Sequence, residues 1–193
     1  LFYGMLLLLF VFTVDSAKKA YEGRRMQEDI AEKILRFHVR ANSDSSFDQA
    51  CKLKVRDAVI SKVSQMMDKA DTKEEAFDIL KKQKDSIKNT AQEILKKEGV
   101  IQKVKVHFVQ EKFPEKTYGQ YTFPEGIYDA LRIDLGEAKG HNWWCVMFPD
   151  LCVTKDDKVR INNTARKKME KLLGKKAVEK ITKDKYLGWL FKA

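Results

Sequence analysis

The sequence predicts an α+β fold: a small, mostly antiparallel sheet of about four strands, two long helices packed on one face, and a basic helical tail. Several short stretches alternate between apolar and polar residues, which is typical of strands with one buried face. Two long segments carry apolar residues every three or four positions, which indicates amphipathic helices. Their order along the chain is strand, helix, helix and then three strands, which favours α+β over an alternating α/β fold.

Length and composition indicate one folded domain with appendages. The 193 residues are 44% hydrophobic and 34% charged, which excludes a largely disordered chain. The formal net charge is +10, but residues 154–193 alone hold 13 Lys or Arg against 5 Asp or Glu. Because the rest of the chain is close to neutral, we expect no nucleic-acid-binding surface across the protein.

The N-terminal segment is uncharged from Leu1 to Val14. This run is shorter than the roughly 20 apolar residues that span a bilayer, but it fits the apolar region of a signal peptide. Small residues at Val14 and Ser16 favour cleavage after Ser16. We therefore expect residues 1–17 to be a signal peptide or a retained membrane anchor, with a buried core helix as the alternative. Residues 18–29 are predicted to be a polar linker that leads into a short helix.

The first strand and first long helix follow the linker. Residues 35–41 alternate in polarity, which predicts a strand with one buried face. Residues 42–46 form a turn cluster. Ser46 and Gln49 match a capping box, so a helix is expected to begin there and to end near Lys69.

The second long helix is predicted to begin at the capping box of Thr72 and Glu75 and to end at Gly99. Its apolar residues share one side, and lysines occupy the other. The apolar side consists of Ala76, Ile79, Leu80, Ile87, Ala91, Ile94 and Leu95.

Three further strands are expected to complete the sheet. Residues 104–108 and 128–135 alternate in polarity, whereas residues 142–148 form a continuous apolar run that predicts a central strand. Residues 136–140 are expected to form a turn. The segment between the two Phe-Pro-Glu motifs, residues 113–125, is predicted to be a long ordered loop.

The histidines do not form a recognisable catalytic or metal-binding motif. His38, His107 and His141 are far apart, and the sequence contains no zinc-protease, serine-hydrolase or phosphate-loop motif. His38 and His107 fall on the polar side of strands, where we expect solvated side chains. Asp44 and Asp48 are best explained as a turn residue and a first-turn helix residue. We therefore predict no catalytic residues, metal or cofactor.

The three cysteines have two possible explanations. Cys145 and Cys152 enclose a short loop, and in an oxidising compartment we expect them to form a disulfide. The alternative is that Cys145 is a nucleophile with His141 as its base. Cys51 lies at core spacing on a predicted helix, where a buried thiol is expected.

The segment Tyr118–Cys152 has the most distinctive composition in the chain. It holds two of the three prolines, two of the three tryptophans and two of the three cysteines. Such a density of bulky and restricting residues predicts one rigid surface. Because successive strand residues point to opposite faces, Trp143 and Trp144 should lie on opposite sides of the sheet. We expect one ring in the core and the other exposed as a binding anchor, with burial of both rings as the alternative.

The tail, residues 154–193, contains a basic amphipathic pattern that begins at Asn163 and ends in the aromatic run Tyr186–Phe191. Such a helix suits an anionic membrane surface, which would be contacted by residues 160–193. The alternative is a helix packed on the domain with a solvated lysine face. The apolar residues of the pattern are Ala165, Met169, Leu172, Leu173, Ala177 and Ile181.

Five segments of the chain form one collinear pattern: HVRANSDS (38–45), DQACKLKVRDAV (48–59), FPEKTYG (113–119), FPEGIYDALRIDLGEAKG (123–140) and HNWWCVMFPDLC (141–152). Together they resemble the stage II sporulation protein R family of endospore-forming Firmicutes. The match covers about residues 30–153, which we take as the domain, and does not extend into the tail. Asp150 stands where the family pattern leads us to expect a second proline.

The resemblance implies a signal rather than a catalyst. Proteins of this family are made in the forespore and exported into the space between the forespore and mother-cell membranes. There they trigger a membrane-embedded aspartic protease, which removes the pro-sequence of the mother-cell sigma factor. We expect the protease to be contacted by Tyr118, Tyr121, Trp143, Trp144 and Phe148, with His38, Asn42 and Asp44 as second candidates.

Two other functions are consistent with the residues alone. One is a secreted cell-envelope hydrolase that uses Cys145 and His141. The other is an envelope protein held on anionic membrane by its basic tail, whose binding would weaken as salt increases.

Overall fold

A computed structural model describes residues 2–149, 151–152 and 163–183. The helices in these residues are α1 (Phe2–Ala31), α2 (Ser46–Met67), α3 (Lys73–Lys82), α4 (Lys84–Lys97), α5 (Asn163–Leu173) and α6 (Lys175–Lys183). The strands are β1 (Leu35–Arg40), β2 (Val104–Phe113), β3 (Lys116–Tyr118), β4 (Tyr121–Phe123), β5 (Gly126–Leu135) and β6 (Asn142–Phe148). Asp150, the first part of the predicted tail up to residue 162 and the aromatic run Tyr186–Phe191 lie outside the described residues.

The main sheet has four strands in the order β2-β5-β1-β6. The outer pairs are antiparallel, and the central pair, β5 and β1, is parallel. This confirms the predicted α+β class with a small, mostly antiparallel sheet. The expectation that β6 is central is wrong, because β6 pairs only with β1 in the described residues. The strand is apolar throughout because both of its faces are buried. Cys145 and Met147 belong to one core cluster, and Val146 belongs to the other.

Helices α2, α3 and α4 cover one face of the sheet. Apolar residues of β1, including Phe37 and Val39, pack there with Val55 and Val59 of α2. The second predicted helix is in fact two helices, because the chain breaks at Gln83 between α3 and α4. Neither Gly nor Pro marks this break, so the residue pattern carries no signal for it.

The predicted helix ends are mostly in place. Thr72 caps α3 by accepting a hydrogen bond from the Glu75 backbone N–H at 3.2 Å. Gly99 follows α4 with φ +74°, a conformation that favours glycine. The cap of α2 is Ser45 rather than Ser46, because the Ser45 hydroxyl accepts from the Asp48 backbone N–H at 3.1 Å.

The other face of the sheet is also covered, and a second core cluster forms there. The predicted loop between β2 and β5 contains a short hairpin, β3–β4, that packs over this face together with the end of α1, α5 and α6. The members of the cluster are Ile30, Ile34, Phe113, Tyr121, Phe123, Tyr128, Ala130, Val146, Leu151, Met169, Leu173, Val178 and Ile181.

The N-terminal segment forms one long helix. Residues 18–29, predicted to be a linker, lie inside α1. They consist largely of Ala, Lys, Arg, Glu, Gln and Met, which are strong helix formers. Phe10 and Phe12 are exposed on the same helix, and Ile30 is buried near its end. No helix in the described part of the chain is both long and apolar enough to cross a bilayer.

The described part of the tail packs on the domain. Gly174, at φ +82°, separates α5 from α6. Met169, Leu173, Val178 and Ile181 are buried in the second cluster. The apolar side of residues 163–183 therefore faces the protein, as in the packed alternative, and contact of the tail with anionic membrane stays a prediction.

The main sheet curls strongly. Phe113 lies on β2 and Trp144 on β6, which are opposite edges of the sheet. Nevertheless their ring centroids are 4.7 Å apart. Because neighbouring strands are about 4.8 Å apart, side chains of the first and fourth strands of a flat sheet could not meet. The end of β2 must bend over the second face, which makes that face concave.

Candidate partner-binding site

The eight residues predicted to contact a partner do not form one exposed surface. His38, Tyr121 and Phe148 are buried, so in this conformation they are inaccessible to another protein. The remaining five reach solvent: Trp143, Trp144, Tyr118 and Asn42 are half-buried, and Asp44 is exposed. Alternation along the chain indicates only which side of a strand a residue takes, and here both sides are covered.

The two tryptophans lie on opposite faces of the sheet, as predicted. Trp143 makes an edge contact with Phe37 at 6.0 Å, and the guanidinium of Arg56 lies 4.7 Å from its ring. Trp144 stacks in parallel on His38 at 4.6 Å on the other face. Both rings are half-buried, so each serves packing and each also presents an edge to solvent.

His38 is buried, with only 1% of its surface exposed, so the prediction of a solvated side chain is wrong. The ring packs between Trp144 and Phe113 because the sheet curls over it. Burial, and then the charges of Arg132 and Arg40, lower the pKa of His38 to about 3. The imidazole is therefore neutral at physiological pH.

A charged cluster surrounds His38 on the concave face. Arg40 donates two hydrogen bonds to Asp134, at 2.7 and 2.9 Å, and Arg132 donates to Glu111. His107 Nε2 lies 3.2 Å from Asp134 Oδ2. Burial opposes ionisation of Asp134, but the hydrogen bond from Arg40 and the charge of Arg132 outweigh it, so its pKa lies below the usual value. These hydrogen bonds and ion pairs hold the charged side chains of the concave face in fixed positions around His38.

Asp48 organises the turn that follows β1. Its carboxylate accepts hydrogen bonds from Ser43 Oγ at 2.6 Å, Asn42 Nδ2 at 2.9 Å and Gln102 Nε2 at 3.2 Å. The hydrogen bond from Ser43 is the largest of several that lower the pKa of Asp48. Asp48 is thus a first-turn helix residue, as predicted, and it also ties the loop before β2 to this turn.

The same turn holds Asp44 against the residue that begins the β6 segment. Asp44 Oδ1 accepts from the His141 backbone N–H at 2.6 Å and lies 2.5 Å from His141 Nδ1. These contacts, the backbone hydrogen bond first, lower the pKa of Asp44. A Cβ atom on Gly140 would lie 2.2 Å from the Ser43 carbonyl oxygen, so only glycine permits this close approach. Asp44 and His141 are consequently displayed at the surface in a fixed arrangement.

Cys145 and Cys152 form a disulfide with Cα atoms 5.4 Å apart, as predicted. A disulfide-bonded sulfur has no thiolate, so Cys145 in this state cannot act as a nucleophile. Cys51 is a buried thiol, also as predicted, and burial raises its pKa. Within residues 2–149, 151–152 and 163–183, no group of three or more His, Cys, Asp or Glu side chains is placed to hold a metal ion.

The family model described as Stage II sporulation protein R matches residues 31–158. The chain belongs to the stage II sporulation protein R family. A curated member, Stage II sporulation protein R of Bacillus subtilis (strain 168), is 38% identical over 156 residues, which cover 80% of this chain and 68% of that protein. No solved structure matches this chain.

The structure also shows two features that the residue pattern alone does not predict. Arg36 is completely buried under the β3–β4 hairpin, and Asp48 is the centre of a hydrogen-bond network. Arg36 alternates with Phe37 along β1, which places it on the same side as His38 and therefore predicts solvent exposure. Arg36 is buried because the β3–β4 hairpin covers the second face of the sheet, and the local residue pattern does not predict this cover.

Removing the disulfide should destabilise the protein. The two cysteines are 7 positions apart, and closing so short a loop stabilises a fold by about 2.5 kcal/mol in the chain-entropy model. We expect the Cys145→Ser, Cys152→Ser double variant to lose about 2–3 kcal/mol of unfolding free energy, measured by urea denaturation. Treating the wild type with reductant should reproduce this loss, and an unchanged midpoint in reductant would contradict it.

Proposed function

We propose that this protein is an exported sporulation signal that activates a membrane-embedded aspartic protease. On this proposal it leaves the forespore and acts in the space between the forespore and mother-cell membranes. The protease then processes the mother-cell pro-sigma factor. The observation that carries the proposal is membership of the stage II sporulation protein R family, whose model matches residues 31–158. The uncharged run from Leu1 to Val14 supports export.

The proposed activation is a binding event rather than a chemical step. The disulfide between Cys145 and Cys152 supports this, because it occupies the sulfur that the hydrolase alternative requires. A signal of this kind acts by binding the active arrangement of its receptor more tightly than the inactive one. A tenfold shift toward the active arrangement requires about 1.4 kcal/mol of differential affinity.

Four of the five accessible candidates, all except Tyr118, lie at one end of the sheet and favour it as the docking surface. Arg40, the last residue of β1, pairs with Asn142, the first residue of β6. The turn with Asn42 and Asp44 begins immediately beyond this pair, and Trp143 and Trp144 lie immediately inside it. This end combines two half-buried aromatic rings with fixed polar groups, a composition typical of interface hot spots.

Reconstitution tests the proposed function. The exported chain would be co-expressed with the candidate protease and its pro-sigma substrate in a non-sporulating host, and removal of the pro-sequence would be followed by immunoblot. We expect cleavage that depends on both the chain and its export. No cleavage, with the chain shown to be folded and exported, would contradict the proposal.

Replacing Trp144 by alanine should lower activation at least about tenfold, because large aromatic residues at interfaces are frequent hot spots. Trp144→Phe should retain more activity, since a smaller ring can still stack on His38. Ile101→Ala is the matched control, because Ile101 is fully exposed in a loop and contributes no core contact. Pro-sequence removal would be quantified at equal exported amounts of protein. Full activation by a folded Trp144→Ala variant would exclude this residue from the contact.

A further inference from the structure

Arg36 is a completely buried arginine without a carboxylate partner among the described residues. Its exposed fraction is 0%. Nε and Nη1 have no hydrogen-bond partner, and Nη2 only reaches Tyr118 Oη at 3.4 Å. Buried charged groups are normally paired, so an unpaired guanidinium in the core requires an explanation.

Aromatic rings surround the guanidinium on the concave face. The Arg36 Cζ atom lies 4.7 Å from the centroid of Phe113 and 5.1 Å from that of Tyr128. The rings of Tyr118 and Phe123 follow, each at 5.8 Å. Such rings attract a cation but accept none of the directed N–H bonds that a guanidinium offers. The Arg36 cage, defined by these five residues, therefore holds the charge while leaving Nε and Nη1 without a hydrogen-bond acceptor.

A second group with unused hydrogen-bonding capacity lies beside the cage. His38 is the next residue of β1 on the same face, and its ring packs 5.3 Å from the Phe113 ring that also contacts Arg36. His38 Nε2 lies 2.9 Å from Glu111 Oε2, yet neither ring nitrogen has a hydrogen bond of acceptable geometry. Unsatisfied polar atoms are thus concentrated on this face of β1, as expected at a ligand site rather than in a purely structural core.

The β3–β4 hairpin, which covers the cage, has a backbone ladder of its own. In the described residues, β3 and β4 pair only with each other and share no backbone ladder with the main sheet. A hydrogen bond of 3.0 Å between Thr117 and Thr122 joins the two strands of the hairpin. Tyr118 is its cage residue that reaches the surface, since it is half-buried whereas Phe123 is fully buried. Movement of the hairpin would leave the ladders of the main sheet intact, although it would separate Tyr121 and Phe123 from the second core cluster.

We propose that the Arg36 cage is a closed binding site for a carboxylate, which enters when the β3–β4 hairpin moves away. A carboxylate matches this guanidinium, because it accepts two parallel N–H bonds along one edge, from Nη2 together with either Nε or Nη1. The cage walls exclude water, which strengthens such a pair. The carboxylate has two possible sources, an acidic side chain of the receptor protein or a free carboxylate. Assigning the carboxylate to the receptor rests on the proposed function, whereas the existence of the site does not.

A thermal test addresses the site directly. Unfolding of the wild-type chain would be measured in 100 mM sodium glutarate and in sodium chloride of equal ionic strength. We expect glutarate to raise Tm by about 4 °C if the site fills at this concentration. The Arg36→Met variant should show no such rise, and its Tm in chloride should equal or exceed that of the wild type, because a buried unpaired charge has been removed. Arg24→Met, at an exposed position of α1, is the matched control and should respond as the wild type does.

The reconstitution assay with Arg36→Met separates the two sources. At least tenfold loss of activation by a stable variant assigns the carboxylate to the receptor, even when free glutarate does not stabilise the wild type. Retained activation together with the glutarate effect assigns the site to a free carboxylate. Retained activation without any glutarate effect overturns the proposal, as does a glutarate effect that persists in Arg36→Met. If the wild type itself activates no protease, the proposed function fails, and the thermal test alone decides the site.

Discussion

Asp48→Ala is expected to lower the free energy of unfolding by about 3–4 kcal/mol. Asp48 is 8% exposed, and its carboxylate accepts from three side chains, those of Asn42, Ser43 and Gln102. A hydrogen bond to a charged group contributes about 1.5–3 kcal/mol. The three donors are half-buried, so water can replace part of the lost bonding and the total stays below three full contributions. Urea denaturation followed by far-UV circular dichroism would measure the loss.

The amide variant separates the charge from the shape. Asp48→Asn should lose less than Asp48→Ala, since its single carbonyl oxygen can still accept from Ser43 or Asn42. Gln102→Ala, which removes the longest of the three hydrogen bonds, should cost about 1 kcal/mol. Asp48→Ala with wild-type stability would mean that the turn is held by its backbone contacts instead. Because the pKa of Asp48 is lowered in the fold, its contribution is present at neutral pH and is lost as pH falls through that pKa.

Acidification from pH 6.5 to pH 4 should remove about 3 kcal/mol of stability through His38 alone. The pKa of His38 is about 3 in the fold, against 6.5 for an exposed histidine. Between these values the unfolded chain binds a proton that the folded chain excludes, which costs about 1.4 kcal/mol per pH unit. The contribution is therefore complete above pH 6.5 and falls steadily down to about pH 3.

His38→Phe isolates this contribution, because phenylalanine keeps a ring against Trp144 but does not titrate. We expect the variant's stability to fall by about 1.4 kcal/mol less per pH unit than that of the wild type between pH 6 and pH 4. The carboxyl groups with lowered pKa values, including Asp134, lose their contribution on acidification in both proteins. The groups that face His38 are Arg36, Arg40, Glu111, Arg132 and Asp134. If the free energy of unfolding changed equally with pH in the two proteins, protonation of His38 would not destabilise the fold.

Local residue patterns predict where the helices and strands of this fold lie better than they predict which strands pair with each other. Alternation located β1 and most of β5, and Thr72 and Gly99 correctly marked two helix ends. Pairing depends on contacts between distant segments, so the parallel neighbour of β1 and the edge position of β6 could not be inferred. The β3–β4 hairpin was missed because strands of three residues are too short to show a period.

The candidate site was predictable only as far as strand geometry determines it. Period-2 alternation placed Trp143 and Trp144 on opposite faces, and two cysteines around a short loop predicted the disulfide. The same alternation places Arg36 and His38 on a face that it predicts to be solvated, whereas both residues are buried. Polar residues on one side of a strand normally indicate water there, but the curled sheet and the hairpin cover that side. The burial of both groups follows from tertiary structure alone.

The central position of β1 has a consequence for the order of folding. Its residues lie near position 37, whereas its two neighbours end at positions 135 and 148. A ribosome must therefore release more than ninety further residues before β1 acquires its first partner, β5, and more than a hundred before it acquires β6. Until then, helices α2–α4 have no complete sheet to pack against, and the chain lacks its principal core. Such distant pairing predicts slow folding and a long-lived unfolded nascent chain, which is the form that a translocation channel accepts.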